Sequence, residues 1–144
     1  MLYGHNFSVG MNIFFRAVKQ MGVLMNGAPE YDVYVQEHHN RDKVDSPSGT
    51  ALRLGEILLE QIDRKKQIHS GSPVGGVPLD SLQLSSVRAG TVPGSHTVGF
   101  DSPADSIELR HASKNRTGFA IGALKAARWV RGKKGVYTMD DVDL

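Results

Sequence analysis

The spacing of apolar residues switches repeatedly between helical and strand periods along this chain, and the order of the switches restricts the fold to helices layered on a sheet. Val9, Ile13, Ala17, Met21 and Leu24 recur at helical spacing over residues 8–24, with Ser8 as the N-cap. Residues 31–37 alternate through Tyr31, Val33 and Val35 and read as a strand that delivers its end to His38 and His39. After a loop over 40–47, Leu52, Leu54, Ile57, Leu58, Leu59 and Ile62 mark a second helix over 50–64. The Gly-, Pro- and Ser-rich stretch 65–80 reads as a long loop. Three β segments follow at 82–87, 95–100 and 106–111, in the pattern of a hairpin or meander. Phe119, Ile121, Leu124, Ala127, Trp129 and Val130 place a third helix over 117–131. The expected architecture is α+β: a mixed β-sheet with two helices packed on one face, the other face free to pair between subunits.

Composition narrows the chemistry. No cysteine occurs among the 144 residues, which excludes disulfide staples, thiolate metal sites and thiol nucleophiles. No apolar run reaches the roughly 20 residues a bilayer span needs. The 17 basic and 15 acidic side chains give only +2, so no membrane or nucleic-acid partner is expected. The basic clusters at 64–66 and 131–134 fall at expected helix ends, where cations complement the dipole. The opening residues lack the charged and apolar regions of a secretory signal, and a cytoplasmic location is the expectation.

The densest chemistry lies over residues 37–51. Ser48, Gly49 and Thr50 follow Pro47 and open a helix, so their N–H groups lie outside the helix ladder at its positive end. Gly49 permits close approach of an anion, and the Ser48 and Thr50 hydroxyls can add donors. Without a Walker pattern, a carboxylate fits as well as a phosphate; an ordinary N-cap after a proline turn is the competing reading. His39 and Lys43 can exchange protons near neutral pH. Adjacent strand residues face opposite ways, so His38 and His39 do not share a site, and no histidine spacing indicates a metal: none is expected. Asp45 reads as a turn or capping residue.

The pattern Glu37-x-His39-x-x-x-Lys43-x-Asp45-x-Pro47-Ser48-Gly49-Thr50-Ala51 resembles the signature of the 4-hydroxy-tetrahydrodipicolinate (dihydrodipicolinate) reductase family. The resemblance extends over Asn6-Phe7-Ser8-Val9-Gly10 with Asn12, Val87-Arg88-Ala89-Gly90, Gly94-Ser95-His96-Thr97, His111-Ala112-Ser113, Arg116, Phe119-Ala120, Gly122-Ala123 and Asp140-Asp141-Val142. It implies reduction of a cyclic dicarboxylate by NADH or NADPH in the diaminopimelate route to lysine. His39 and Lys43 then take the proton-transfer positions, and Asn40, Ser48, Gly49 and Thr50 the substrate positions. Gly4, His5, Asn6 and Phe7 fall where the family's inter-domain crossing meets the cofactor. Asn40 stands where the family often carries a second histidine; it can donate a hydrogen bond but cannot titrate. Gly4-His5 replaces the more usual Ala-Pro or Ala-Ala.

A βαβ unit takes roughly 30 residues or more, only five precede Asn6, and no Gly-x-Gly-x-x-Gly occurs, so the main cofactor site is expected in an N-terminal half that is absent here. The resemblance implies a C-terminal domain of the glyceraldehyde-phosphate-dehydrogenase-like type, plus a helix belonging to the missing Rossmann half. The expected division is 1–8 (crossing), 9–116 (substrate-binding and oligomerisation domain) and 117–144 (helix and tail that pack on the absent half). The family's assembly is a homotetramer, and the chain alone is expected to be inactive. Two alternatives are a cofactor-free acid–base enzyme using His39 and Lys43, and a non-catalytic anion-binding or oligomerisation module.

Overall fold

The computed structural model describes residues 1–143. Its elements are α1 (Val9–Asn26), β1 (Asp32–His39), α2 (Gly49–Gln61), β2 (Gln67–Ser70), β3 (Ser81–Arg88), β4 (Ser95–Asp101), β5 (Ser106–Ala112) and α3 (Thr117–Val130). The five strands form one mixed sheet in the order β2-β3-β1-β4-β5. β1 is its centre, parallel to β3 and antiparallel to β4, and this carries its C-terminal end between the end of β3 and the start of β4.

Helices α1 and α2 cover one sheet face, as expected. Their buried side chains, Met11, Phe14, Phe15, Val18, Leu54 and Leu58 among them, share one core with Val33, Val35, Leu82, Leu84, Val98 and Phe100 of the sheet. Ser8 caps α1 through its hydroxyl, which accepts from the Met11 N–H. The buried stripe of α1 differs from the expected one: Met11, Phe14, Phe15, Val18 and Met25 face the core, while Ile13, Ala17 and Leu24 face outward. The paired phenylalanines bury more apolar area than the alternative stripe and set the rotation of the helix.

Three further expectations are corrected. The stretch 65–80 contains the edge strand β2, whose polar Gln-Ile-His-Ser composition hides its period; parallel pairing with β3 holds it. The three β segments are not a meander: β4 and β5 form a hairpin, but β1 separates β3 from β4. The basic residues after α2 do not cap that helix. Arg64 donates to the carbonyls of Met25 and Tyr31, and Lys65, buried, binds the carbonyls of Leu79 and Ser81 and the Asp32 carboxylate.

A second, smaller core joins the two ends of the chain. Ala126, Met139 and Val142 are buried there against Leu2, Phe7 and Trp129, and Leu2 bridges to Tyr137. Helix α3 reaches this cluster only because Gly122 lacks a side chain: a Cβ there would lie 1.6 Å from the Phe7 carbonyl oxygen. Phe119, Ile121 and Leu124 on α3 stay exposed. Among the described residues no helix is long and apolar enough to cross a membrane.

Candidate functional site

The core face of β1 carries Val33, Val35, Glu37 and His39 in strict alternation, so the last two positions drive a carboxylate and an imidazole into a space the first two fill with hydrocarbon. His38 points the other way, and its ring nitrogen contacts the Ala89 carbonyl. Glu37 is buried to 1% exposure, where an ionised carboxylate survives only if its oxygens are matched. Its Oε1 accepts from the Ser48 N–H (2.8 Å), the Ser86 hydroxyl (2.7 Å) and the Arg88 guanidinium (2.7 Å). Its Oε2 lies 3.1 Å from His39 Nδ1 and 3.6 Å from His96 Nε2. Burial alone would raise the Glu37 pKa, but the nearby His96 ring and the donors Ser48, Arg88 and Ser86 reverse that and hold it well below the usual carboxylate range.

His39 behaves oppositely. Burial pushes its pKa down to about 4; the neighbouring carboxylate of Glu37 opposes this, while the charges of His96, Lys43 and Arg88 add to it. His39 is therefore neutral at pH 7, and its contact with Glu37 joins an imidazole to a carboxylate rather than two ions. Its ring meets that of His96 edge-on, with centroids 5.1 Å apart. Gly94, at φ +154°, packs against the ring: a Cβ there would stand 2.8 Å from Nε2.

Ser48 ties the strand end to the helix start. Its N–H binds Glu37, its hydroxyl accepts from the Ala51 N–H, and its carbonyl accepts from the Leu52 N–H. The N–H groups of Gly49 and Thr50 are the open donors of this helix end. Apart from its chain neighbours and the helix's own backbone, no atom lies within 4 Å of the position a Gly49 Cβ would take. The Thr50 hydroxyl accepts from the Asn6 side chain (3.3 Å), and Asn12 of α1 holds the crossing segment by donating to the Asn6 and Ser8 carbonyls. Asn40 closes a turn, its N–H bound to the Val92 carbonyl and its Oδ1 accepting from the Asp42 N–H.

The expected residues thus fall into two linked groups. His39 and Ser48 meet through Glu37, and Thr50 meets Asn6. Lys43 makes no hydrogen bond to His39; its ammonium pairs with Asp45 at 2.7 Å, and that pairing holds the Asp45 carboxyl below its ordinary value. Gly4, His5 and Asn6 line a cavity of about 520 Å³ between α1, α2 and the C-terminal segment, together with Arg16, Lys19 and Arg53, and Phe7 packs into the small core. Glu37, Ser86, Arg88 and His96 were not expected as site residues. A charged residue continuing the apolar phase of β1 was the signal for Glu37; the other three reach it only by strand pairing. Glu37, His39 and His96 each present a possible ligand atom within 4.8 Å of the others, although no histidine spacing suggested a metal. Arg88 and the Ser48 N–H already neutralise this carboxylate, so the arrangement reads as a hydrogen-bond hub.

Residues 10–142 match the family described as "Dihydrodipicolinate reductase, C-terminus". The chain belongs to that family. Curated relatives named 4-hydroxy-tetrahydrodipicolinate reductase include those of Christiangramia forsetii (40% identical over 98% of this chain and 57% of the relative), Neisseria meningitidis serogroup A (37%, over 98% and 53%) and Methanoregula boonei (41%, over 95% and 52%). The chain spans about half the length of these reductases. A solved structure titled "Dipicolinate bound Dihydrodipicolinate reductase from Paenisporosarcina sp. TG-14" superposes with a TM-score of 0.77 at 24% identity, covering 99% of this chain and 54% of that one. That likeness gives the reductase C-terminal domain the same fold as the mixed sheet and helices described above.

Proposed function

We propose that this chain is the substrate-binding and oligomerisation half of a reductase that converts 4-hydroxy-tetrahydrodipicolinate to tetrahydrodipicolinate with NADH or NADPH, in the diaminopimelate route to lysine. The observation that carries this reading is the hub at Glu37, which binds the strand end bearing His39 to the helix end bearing Ser48, Gly49 and Thr50. The Gly49 and Thr50 N–H groups receive a substrate carboxylate at the positive helix end. His39, neutral at pH 7, exchanges a proton with the bound ring, and Lys43 donates a second once it leaves Asp45. Asn40 adds a hydrogen bond to a carboxylate.

Gly4, His5, Asn6 and Phe7 fit the nicotinamide end of the cofactor, because the bond from Asn6 to Thr50 sets this segment at the rim of the carboxylate cradle. When bound, the nicotinamide supplies the hydride. Most of the cofactor is held by a nucleotide-binding unit outside these 144 residues; the relatives' greater length and the exposed Phe119, Ile121 and Leu124 of α3 support this. The chain divides at 1–8, 9–116 and 117–144 in this reading; a large core drawn from within 9–116 and a small core drawn from the two flanking segments support it. The uncovered sheet face, with Gln36, Thr97 and Arg110, is where copies pair into a homotetramer. The enzyme works in the cytoplasm, and the chain alone turns nothing over.

The test is His39→Gln in the full-length reductase. The reading expects kcat to fall by about 10²-fold or more with KM nearly unchanged. Intact kcat would remove His39 from the chemistry.

A further inference from the structure

Of the buried polar atoms in the site that have no hydrogen-bond partner, which include Arg88 Nε and His96 Nδ1, two face each other: Glu37 Oε2 and His39 Nδ1. They lie 3.1 Å from each other without the alignment of a finished hydrogen bond. Buried polar atoms left unpaired are costly, so a pair of orphans facing one another marks a bond that a small ring rotation completes. Catalytic hydrogen bonds are often long or misaligned before the ligand is in place.

The surroundings fix which atom moves. Glu37 cannot turn away, because Oε1 is held by three donors from two segments: the Ser48 N–H at the start of α2, and Ser86 and Arg88 of β3. Arg88 is itself anchored to the Asp45 carbonyl at 2.8 Å. The His39 ring is confined by the edge of His96 on one side and by Gly94 on another. Paired with the Arg88 guanidinium, Glu37 is ionised and Oε2 is an acceptor and nothing else, so the nitrogen facing it must carry the proton.

We infer that Glu37 is a positioning residue that selects one tautomer of His39: Oε2 takes the Nδ1 proton, leaving Nε2 as the unprotonated nitrogen, free to accept a proton. His96 and Gly94 hold the ring in that orientation. The same carboxylate fixes the Ser48 N–H, so one buried side chain sets the distance between the proton-transfer group and the carboxylate cradle. This rests on the reading of His39 as the proton-transfer group, but the tautomer can be read without any turnover.

The tautomer is measured on the ¹⁵N-labelled chain by long-range imidazole NMR at pH 7. The wild-type His39 is expected to be protonated at Nδ1; protonation at Nε2 overturns the inference, with no variant required. Glu37→Gln keeps an acceptor oxygen for Ser48, Ser86 and Arg88 but turns an amide N–H toward Nδ1, and is expected to switch His39 to the Nε2-protonated form. Ser86→Ala, which removes one support and leaves the carboxylate, is expected to keep the wild-type tautomer; a switch there would assign the effect to loosened packing and overturn the inference. In the full-length reductase Glu37→Gln is expected to lower kcat by at least about tenfold with KM within about threefold. A raised KM with intact kcat overturns the positioning role in catalysis. If His39→Gln leaves kcat intact while the tautomer switches as stated, the catalytic reading of His39 fails and the inference about Glu37 stands.

Discussion

At the scale of single residues, two neighbouring titrations, both displaced downward but for different reasons, make the site's acid behaviour specific. His39 moves from 6.5 to about 4 on folding, so the unfolded chain takes its proton first as the pH falls. The stability this contributes is full above about 6.5 and is lost as the pH drops toward 4. His111, also lowered by burial and by His96, adds to the same limb. Glu37 acts lower: its stabilisation is present above its ordinary 4.5 and disappears only as the pH falls below that. Urea unfolding at pH 7 and pH 5 should therefore show lower stability at pH 5, and His39→Gln should flatten the difference without abolishing it. An unchanged slope in the variant would contradict the neutral, buried His39. Gly49→Val should lower affinity for a planar dicarboxylate by about tenfold or more, because the branched Cβ occupies the open side of the helix end; equilibrium binding measures this. His39, Lys43, Ser48, Gly49 and Thr50 were legible as chemistry in the sequence because strand end, proline and helix start follow one another within thirteen residues. Arg88 and His96 were not, since β-pairing alone brings them to Glu37.

At the scale of elements, the period of each segment was readable, but its rotation and its partners were less so. The face that α1 buries was decided by Phe14 and Phe15, two adjacent aromatics that a search for a single stripe passes over. The strand β2 has one apolar residue, Ile68, and exists by virtue of its neighbour β3. The insertion of β1 between β3 and β4 is a long-range pairing that turn signals do not encode. Helix α3 depends on a single close approach, which gives a direct prediction. Gly122→Ala would set a methyl group against the Phe7 carbonyl and should destabilise the α3 cluster by about 1–3 kcal/mol or more. Hydrogen exchange should quicken over Thr117–Val130 while β1 and β4 keep their protection. Equal loss across the whole chain would mean that the two cores unfold as one.

At the scale of the whole molecule, two surfaces look unfinished: the outer side of α3 and the open sheet face. The α3 side is apolar, with Leu124 59% exposed, so Leu124→Ser should change the stability of the chain by no more than about 0.5 kcal/mol. The same variant should weaken the full-length reductase if a nucleotide-binding unit covers that side. The sheet face is polar, and sedimentation of the chain at four times 15.7 kDa would fit pairing of copies through it. Neither surface is needed for the carboxylate site joined to His39, which these residues form by themselves. Calorimetric titration of the chain with pyridine-2,6-dicarboxylate tests it most directly. The account predicts saturable binding that Gly49→Val removes; no saturable heat, or equal binding by the variant, would contradict it.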